Sequence, residues 1–325
     1  MNERLLELTD LQVAFPSARG PVLGVKSVTM HVGERERLGV VGESGSGKSV
    51  TALAILGLVQ SPGRIVGGSV KFRGKDMLDP SVARKVRGRE IAMIFQDPMV
   101  SLNPLMTVER QITEVLRRRA DMSKDAAKAR ALELLELVGI PAPAERLKQY
   151  PHEFSGGMRQ RVMIAIALAA GPDLLVADEP TTALDVTIQA QILELLRRLS
   201  DELGLAVMMI THDLGVVAEF CDRVQVMYAG RVVERSSVED LFGAPLHPYS
   251  KGLIASSPRV DVLQQELTSI AGDPPAHADA VAGCPFSPRC PEVMDRCRTS
   301  EPPLLQITPR RWVACWRRQE QEVAS

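Results

Sequence analysis

A glycine-rich loop early in the chain, Gly42 to Ser49, reads G-E-S-G-S-G-K-S and fits the pattern G-x-x-x-x-G-K-[ST]. It follows a predicted strand at Arg37 to Val41 and opens a predicted helix, the context in which such loops bind nucleotide phosphates. Lys48 is predicted to reach the β- and γ-phosphates, and the Ser49 hydroxyl to bind Mg²⁺. A glycine-rich surface turn is the alternative. The small residues expected to turn backbone N–H groups toward phosphate oxygens are Gly42, Ser44, Gly45 and Gly47.

An apolar segment farther along, Leu174 to Asp178, is predicted to form a buried strand that ends in two carboxylates. Ligands of open α/β sheets bind at the carboxyl ends of the strands, so Asp178 and Glu179 are expected beside the phosphate loop. Asp178 would hold Mg²⁺ through water, and Glu179 would orient or deprotonate the attacking water. Taken alone, the same residues also fit a strand followed by a solvated acidic turn.

A second group of small residues, Ser155-Gly156-Gly157, precedes a predicted apolar helix that starts near Met158. Small residues at a helix N-terminus form an anion site. One chain does not need two such sites for one nucleotide, so this one is expected to contact a nucleotide bound by another subunit. A capped helix after a glycine turn is the alternative interpretation.

Three single side chains complete the candidate nucleotide site. Gln96 follows a buried strand and is predicted to contact Mg²⁺ or the attacking water. His212 follows the predicted strand Ala206 to Ile210 and is placed to reach the γ-phosphate, although a single histidine is more often structural. Phe15 offers a ring face for adenine, whereas a phenylalanine that ends a strand usually belongs to the core.

The elements that must position these residues alternate between strands and helices, which predicts an α/β core with a largely parallel sheet. Between Thr107 and Val138 the pattern changes to helices, with an apolar stripe at Ala131, Leu134 and Leu135. This helical block reads as an insertion into the core. Other predicted strands are Leu5 to Phe15, Val22 to Val32, Val70 to Phe72, Ile91 to Phe95 and Val224 to Tyr228, and other predicted helices are Thr187 to Leu203 and Leu214 to Phe220.

The proline-rich segment after about Phe242 contains four of the five cysteines and reads as a separate, loop-rich appendage. The spacing of the four leaves an iron–sulfur cluster, a zinc site and free thiols open. No close C-x₂₋₄-C pair of the usual zinc type occurs, and two Cys-Pro steps favour iron–sulfur. Cys221 stands apart and is expected to be a small buried hydrophobe. The four late cysteines are Cys284, Cys290, Cys297 and Cys315.

Charge and hydropathy exclude several classes of protein. The net charge of −1 lacks the basic excess of a nucleic-acid-binding chain. The longest fully apolar run, Val162 to Ala170, is nine residues, whereas a membrane-spanning helix needs about 20. The segment Met1 to Asp10 lacks the basic and then apolar pattern of a signal peptide. We therefore expect a cytosolic chain whose membrane role would come through partner subunits.

The order of these motifs resembles the ATP-binding subunits of ABC transporters over about residues 1–240. The resemblance identifies Gly42 to Ser49 as the phosphate loop and Glu179 as the catalytic glutamate. The other matching motifs are the Q-loop Gln96, the signature Phe154 to Met158, the Walker B Asp178, the D-loop Ala183-Leu184-Asp185 and the switch His212.

A narrower resemblance, to the dipeptide/oligopeptide permease ATPases, covers nearly the whole chain. It rests on Met93 to Pro104, Asp178 to Gln191, Leu246-His247-Pro248-Tyr249 and Cys284 to Cys290. Two positions depart from the wider ABC pattern. Phe154 and Met158 replace leucine and glutamine in the signature, where Ser155, Gly156 and Gly157 are kept. Phe15 replaces the commoner tyrosine and keeps the ring face.

The resemblance implies an α/β, ABC-type P-loop ATPase core at 1–245, with a helical subdomain inserted at about 97–165. It also implies a small loop-rich C-terminal domain at 246–325, in which the four late cysteines hold a [4Fe–4S] cluster, with Zn²⁺ as the alternative. The remaining cofactors are ATP and Mg²⁺, with Asp185 among the residues near the nucleotide. We expect Cys290→Ser to loosen the C-terminal domain and to spare a phosphate loop taken to be distant.

The implied function is ATP hydrolysis that powers peptide uptake through an importer, at the cytoplasmic face of the cell membrane. The implied partners are a second ATPase subunit, commonly a paralogue, two transmembrane permease chains and an external substrate-binding protein. Nickel, glutathione or another small solute is the alternative cargo. A soluble ABC ATPase without transport is the other alternative.

Overall fold

The computed structural model describes residues 4–18, 20–182, 184–256, 270–275, 277 and 281–323. Short 3₁₀ turns occur at Pro151–Glu153 and Ser287–Arg289. The strands are β1 (Arg4–Phe15), β2 (Val22–Gly33), β3 (Arg37–Val41), β4 (Arg64–Phe72), β5 (Lys75–Asp76), β6 (Ile91–Ile94), β7 (Leu174–Asp178), β8 (Ala206–Thr211), β9 (Arg223–Tyr228), β10 (Arg231–Ser237), β11 (Leu305–Thr308) and β12 (Arg311–Val313). The helices are α1 (Lys48–Ile55), α2 (Pro80–Val86), α3 (Pro98–Ser101), α4 (Val108–Arg119), α5 (Lys124–Leu137), α6 (Pro143–Arg146), α7 (Gly156–Leu168), α8 (Val186–Leu203), α9 (Leu214–Phe220), α10 (Val238–Gly243), α11 (Pro248–Ser256), α12 (Asp295–Thr299) and α13 (Trp316–Val323).

The chain divides into two compact units. Within the described residues, the first unit contains Gly33–Glu36 and Asp79–Met208. The second contains Arg4–Val32, Arg37–Leu78 and the described part of Met209–Ser325. The phosphate loop and the late cysteines therefore belong to the second unit, and Asp178 and Glu179, at the end of β7, belong to the first.

Two groups of paired strands form the second unit. One runs in the order β2-β1-β4-β5, and β1 pairs with β4 in antiparallel register, with Leu6 opposite Phe72. In the other, β3 lies parallel to β9, with Val41 opposite Val226. The side chains of β9 are buried from Val224 to Tyr228, as expected of a strand covered on both faces. This apolar support fixes the carboxyl end of β3, where the phosphate loop begins.

The first unit combines two parallel strands with helices. Strand β6 pairs with β7 so that Ile94 lies opposite Ala177. Helix α5 buries Ala131, Leu134 and Leu135, as the spacing of these apolar residues predicts. Helices α3 to α7 occupy the stretch 98–168, and the subdomain bounds of about 97–165 stay a prediction.

The predicted elements were confirmed in type, with differences at their ends. The helical stretch from Thr107 to Val138 is two helices, because Ser123 caps α5 and accepts a hydrogen bond from the Ala126 N–H. Strand β4 begins at Arg64, six residues before the predicted Val70. Gly67 inside it lies opposite Gln12 of β1, at a point where the register between the two strands shifts.

The proline-rich C-terminal segment is less separate than its composition suggests. Strand β12 pairs with β10, with Arg235 opposite Trp312, and β11 pairs with β12. The Arg235 guanidinium lies 4.9 Å from the centre of the Trp312 ring, a cation–π contact across the pair. These short strands extend the β3-β9-β10 group of the second unit. Sequence analysis did not predict either strand.

No helix in the described part of the chain is both long enough and apolar enough to cross a membrane. Helix α8 has 18 residues, but charged side chains such as Glu194 and Arg198 are exposed on its other face. Its buried residues, among them Leu193, Leu196 and Leu199, recur at the spacing of one helix face. The helix therefore has the pattern of an element that packs one side on a protein core.

Candidate functional site

The phosphate loop connects β3 to α1 in the second unit, as predicted. Two of its glycines are required by close backbone contacts. A Cβ atom on Gly42 would lie 2.1 Å from the Met227 carbonyl oxygen, and one on Gly47 would lie 2.7 Å from the Gly24 carbonyl oxygen. Gly47 also has a φ of 96° at the N-terminus of α1, a conformation that favours glycine. Packing against neighbouring strands therefore holds the loop in its turn.

Lys48 is directed into the loop rather than into solvent. Its side chain is buried, and its Nζ donates to the Gly42 and Glu43 carbonyl oxygens at 2.7 and 3.0 Å and to Ser46 Oγ at 3.3 Å. In these three contacts the buried ammonium donates to neutral oxygens. The arrangement suits the binding of an anion such as phosphate.

Glu43 joins the phosphate loop to the C-terminal segment, which sequence analysis missed. The Glu43 N–H donates to Tyr249 Oη at 2.8 Å. The Arg289 guanidinium donates to both carboxylate oxygens of Glu43, at 2.7 and 3.0 Å. The expectation that the cysteine segment is distant from the phosphate loop is wrong, because Arg289 directly precedes Cys290 and contacts the loop.

Phe15, at the end of β1, keeps a half-exposed ring. A Cβ atom on Gly24 would lie 2.9 Å from one ring edge, and a Cβ atom on Gly63 would lie 2.5 Å from the opposite edge. Only glycine fits at these two positions without moving the ring. The two glycines therefore leave the space that the ring occupies, while part of the residue stays open to solvent.

Glu179 lies in the first unit, just beyond the carboxyl end of β7. The Gln96 side-chain amide donates to Glu179 Oε2 at 2.9 Å, and so does the Thr182 hydroxyl, also at 2.9 Å. Because β6 and β7 are parallel and in register, the residues that follow them meet at one edge. The hydrogen bonds of Gln96 and Thr182 to Glu179 were not predicted from the sequence, and contact of Gln96 with Mg²⁺ or the attacking water stays a prediction.

The backbone at Glu179 adopts an unusual conformation. Its φ is 49°, in the left-handed region that residues other than glycine seldom occupy, and Pro180 follows it. The preceding Asp178 is buried at the strand end. Strained backbone of this kind is maintained where the surrounding structure fixes it, often at functional sites. Here it turns the carboxylate toward Gln96 and Thr182.

The small residues Ser155, Gly156 and Gly157 form the first turn of α7. Ser155 caps the helix by accepting the Met158 N–H at 3.4 Å. Ser155 and Gly156 are exposed, whereas a Cβ atom on Gly157 would lie 2.7 Å from Ile188 Cγ2. The helix N-terminus is thus anchored on one side and open on the other, as an anion site requires.

Phe154 explains one departure from the wider signature pattern. It is buried, and the Arg146 guanidinium lies 5.9 Å from its ring centre. An aromatic residue at this position can therefore anchor the turn in place of leucine, without altering the exposed Ser155 and Gly156. Met158 is half-buried.

Asp185 caps α8 and accepts the Ile188 N–H at 3.0 Å. Asp185 is exposed, and Val186 beside it is 83% exposed. Leu184 reaches back toward α7, with its Cδ2 3.7 Å from the position of a Cβ on Gly156. Ala183, the first residue of the predicted D-loop, lies outside the described residues.

His212 follows β8 and directly precedes Asp213, which caps α9. Its side chain is exposed, so the histidine is not a buried structural residue. The structure places it at the carboxyl end of its strand, as predicted. Its role toward a γ-phosphate stays a prediction.

The four late cysteines gather in the second unit. Burial raises the pKa of the Cys284 thiol to about 12, and the other three cysteines add to the shift. Burial also raises the pKa of Cys290 and Cys315, again with contributions from neighbouring cysteines. The Cys284 N–H donates to the Cys297 carbonyl oxygen at 2.8 Å. Cys284 therefore lies beside the backbone of Cys297, and all four cysteines belong to the C-terminal segment of the second unit.

Burial disfavours the thiolate forms of Cys284, Cys290 and Cys315 by raising their pKa, so ligation would need a cation that stabilises the thiolates. As the side chains stand, no three His, Cys, Asp or Glu residues of the described stretches form a group that could hold a metal ion. Four cysteine sulfurs are nevertheless the donor set of a [4Fe–4S] cluster. The donor chemistry therefore fits a cluster, whereas the placement of the side chains does not show one.

Cys221 behaves differently from these four. It is buried, and its Sγ lies 3.1 Å from the position of a Cβ on Gly39. Burial is the main reason that its pKa is raised well above the usual range. The prediction of a small buried hydrophobe at Cys221 is confirmed.

Comparison with known proteins identifies two family regions. The ABC transporter profile matches residues 25–182, and the profile of the oligopeptide/dipeptide transporter C-terminal region matches residues 233–297. The oligopeptide transport ATP-binding protein AppD of Bacillus subtilis is 50% identical over 98% of this chain and 98% of its own length. The oligopeptide transport ATP-binding protein OppD of Escherichia coli is 50% identical over 97% of this chain and 94% of its own length.

Other relatives and structures agree. The dipeptide transport ATP-binding protein DppD of Bacillus subtilis is 49% identical over 97% of this chain and 95% of its own length. The dimeric ATP-binding cassette MJ0796, solved with ADP and Pi, matches with a TM-score of 0.64 and 30% identity, over 72% of this chain and 98% of that one. The predicted ABC ATPase fold is thus confirmed. The chain belongs to the ABC transporter family, among the ATP-binding proteins of oligopeptide and dipeptide transport.

Proposed function

We propose that this chain is the ATP-hydrolysing subunit that powers peptide uptake through an ABC importer. The observation that carries the hydrolytic role is the Glu179 carboxylate, which Gln96 and Thr182 hold at the end of a buried strand. The peptide cargo rests on the relatives, which are oligopeptide and dipeptide transport ATP-binding proteins over nearly their full length.

The predicted site residues would divide the binding of MgATP among them. The phosphate loop around Lys48 would hold the β- and γ-phosphates, and the Phe15 ring would stack on adenine. Ser49, Gln96 and Asp178 would surround Mg²⁺, directly or through water. Bound Mg²⁺ would supply positive charge for the transferred phosphoryl group. Glu179 would orient the attacking water or accept its proton, and His212 would contact the γ-phosphate.

A second ATPase subunit would complete each site. Ser155, Gly156 and Asp185 are exposed, which supports their contact with a nucleotide held by the partner's phosphate loop. The MJ0796 cassette, which was solved as a dimer, supports the pairing of two such chains. We propose that the partner is a paralogue, in which case a heterodimer forms. The pair would work at the cytoplasmic face of the cell membrane, with an external substrate-binding protein on the other side.

A cluster of exposed apolar side chains after Gln96 supports contact with two permease chains. Met99 is 53% exposed, Val100 84% and Leu105 85%. Large apolar residues that are exposed together mark interaction surfaces. This segment follows Gln96, whose side chain donates a hydrogen bond to Glu179. A movement of the permease would therefore displace the Glu179 carboxylate through Gln96.

We propose the domain bounds 1–245 and 246–325, with the helical subdomain at about 97–165, and a [4Fe–4S] cluster in the C-terminal domain. The profile match at residues 233–297 supports a distinct C-terminal region. The occurrence of Cys284, Cys290, Cys297 and Cys315 in one segment of the second unit supports the cluster, with zinc as the alternative. When bound, the cluster would order a segment that has little core of its own.

The proposed function is tested by mixing the purified chain with its paralogous partner, the two permeases and the binding protein in proteoliposomes. We expect slow hydrolysis by the chain alone, because its site lacks a facing signature, and ATP-dependent peptide uptake by the assembly. Lys48→Ala is expected to abolish uptake.

Full-rate hydrolysis by the monomer would contradict the shared site. Uptake of nickel or glutathione but not of peptides would replace the cargo and keep the ATPase role.

The Thr182 hydroxyl gives a second prediction. Thr182→Val keeps the shape of the side chain but removes one hydrogen bond to the Glu179 carboxylate. We expect kcat of the assembled ATPase to fall about tenfold, since a hydrogen bond to a charged group contributes ~1.5 kcal/mol, with unchanged nucleotide affinity. Thr113→Val is the matched control, because its hydroxyl donates only to a carbonyl of its own helix, that of Arg110. An unchanged kcat in Thr182→Val would show that the contact does not position Glu179.

A further inference from the structure

Arg289 is a buried arginine whose hydrogen-bonding capacity is fully used. Its side chain is 5% exposed, although it lies in a loop between two cysteines, Cys284 and Cys290. A guanidinium has five N–H donors in a fixed fork. Nη1 donates to Glu43 Oε2 at 2.7 Å and Tyr228 Oη at 3.3 Å, Nη2 to Glu43 Oε1 at 3.0 Å and the Ile270 carbonyl at 3.3 Å, and Nε to the Ala271 carbonyl at 3.0 Å.

The partner of this arginine, Glu43, is the second residue of the phosphate loop. Its carbonyl oxygen accepts the Lys48 ammonium at 3.0 Å, and its N–H donates to Tyr249 Oη at 2.8 Å. The side chain, the amide and the carbonyl of one residue thus contact Arg289, Tyr249 and Lys48 respectively. A shift of Glu43 would therefore move the oxygen that orients the lysine.

Aromatic packing supports the same connection. Phe286, from the loop that carries Arg289, lies 5.2 Å from Tyr228 and 5.4 Å from Tyr249, measured between ring centres. Both tyrosines also bond to the Arg289–Glu43 pair, Tyr228 through Arg289 and Tyr249 through the Glu43 amide. The loop between the first two late cysteines is therefore fixed to the phosphate loop by an ion pair and by ring contacts.

We propose that Arg289 is a positioning residue for nucleotide binding, which acts on the phosphate loop through Glu43. It has two effects. It holds the Glu43 backbone where its carbonyl oxygen orients Lys48. It also neutralises a carboxylate next to the place where the triphosphate binds, and an uncompensated negative charge there would repel the nucleotide. This inference rests on the proposed ATP-binding function and assigns part of it to the C-terminal segment.

The test is the affinity of the purified full-length chain for MgATP and MgADP, measured by titration calorimetry. We expect Arg289→Ala to weaken both affinities about tenfold, which is ~1.4 kcal/mol, and Arg289→Lys to restore part of the loss. A lysine keeps the charge but cannot bind both carboxylate oxygens in a fork. If Arg289→Ala fails to fold, Arg289→Gln, which keeps two donors without the charge, is expected to show the same loss.

Arg296→Ala is the matched control. Arg296 also directly precedes a cysteine and pairs with a glutamate, but its partner Glu320 is 51% exposed and lies outside the phosphate loop. The affinity of this variant is expected to stay within about twofold of wild type, since exposed ion pairs contribute little. Loss of affinity in both variants would mean that any change in the C-terminal segment weakens binding, and would overturn the specific role of Arg289.

A double-mutant cycle separates positioning from general support of the fold. In a Glu43→Gln background, Arg289→Ala is expected to change the affinity less than about twofold, because no carboxylate remains to be held or neutralised. Wild-type affinity in Arg289→Ala, or the same tenfold loss in both backgrounds, would overturn the inference. A wild-type chain that binds neither nucleotide would instead overturn the proposed function.

Discussion

Replacing Glu179 with glutamine is expected to leave MgATP binding intact and to reduce turnover of the assembled transporter by about 10²–10⁴-fold, the usual contribution of a general base. Glutamine keeps the size of the side chain and can still bond to Gln96 and Thr182, but it cannot accept a proton from water. Both hydrogen bonds, at 2.9 Å, go to Glu179 Oε2, and the amide oxygen of glutamine can accept them in the same position. The measurement is ATP hydrolysis by the full assembly, together with nucleotide affinity of the same preparation.

A surface glutamate provides the control for this substitution. Glu202 is 50% exposed and pairs with Arg198 on the outer face of α8, so Glu202→Gln is expected to leave turnover within about twofold of wild type. Near-normal hydrolysis by Glu179→Gln would remove Glu179 from the base role. Loss of nucleotide binding in that variant would show instead that the carboxylate supports the site's structure.

The parts of the site that follow buried strands could be predicted from the sequence. The phosphate loop follows β3, and Gln96 and Glu179 follow β6 and β7, whose parallel pairing brings their ends together. These predictions succeed because apolar strand patterns are local, and a parallel sheet collects the following residues at one edge. The same reasoning placed His212 after β8.

The contacts that were missed join residues far apart in sequence. Arg289 and Glu43 are 246 positions apart, and no spacing or periodicity links them. Strand β12 was missed because prolines and short length hide its pattern, and it is recognisable only from its pairing with β10. Thr182 is only three residues from Glu179 in sequence. It was missed because the strained turn at Glu179, which brings the hydroxyl to the carboxylate, is a tertiary feature.

Replacing Cys290 with serine is the change expected to alter the C-terminal segment most. On the proposed iron–sulfur site, anaerobically purified wild-type protein contains about four irons per chain and absorbs broadly near ~400 nm. Cys290→Ser is expected to lose most of the iron and this absorption, because one of four ligands is gone. Faster proteolysis of the segment around residues 284–315 should accompany the loss.

Cys221→Ser is the control for a cysteine-to-serine change as such. Cys221 is buried against Gly39 and lies outside the late group, so its serine variant is expected to keep the iron of the wild type. Equal iron loss in both variants would indicate a general folding defect. Stoichiometric zinc without iron in the wild-type preparation would replace the iron–sulfur proposal by a zinc site.

The same variant also tests how the cysteine segment reaches the nucleotide. Arg289 directly precedes Cys290 and binds Glu43, so a loosened Cys290 is expected to release the arginine and weaken MgATP binding in the direction of Arg289→Ala. In an Arg289→Ala background, Cys290→Ser should then add little further loss, because the two changes act through one contact. Independent, additive losses would mean that the cysteines influence the phosphate loop by another route, of which the Phe286 packing on Tyr249 is the nearest.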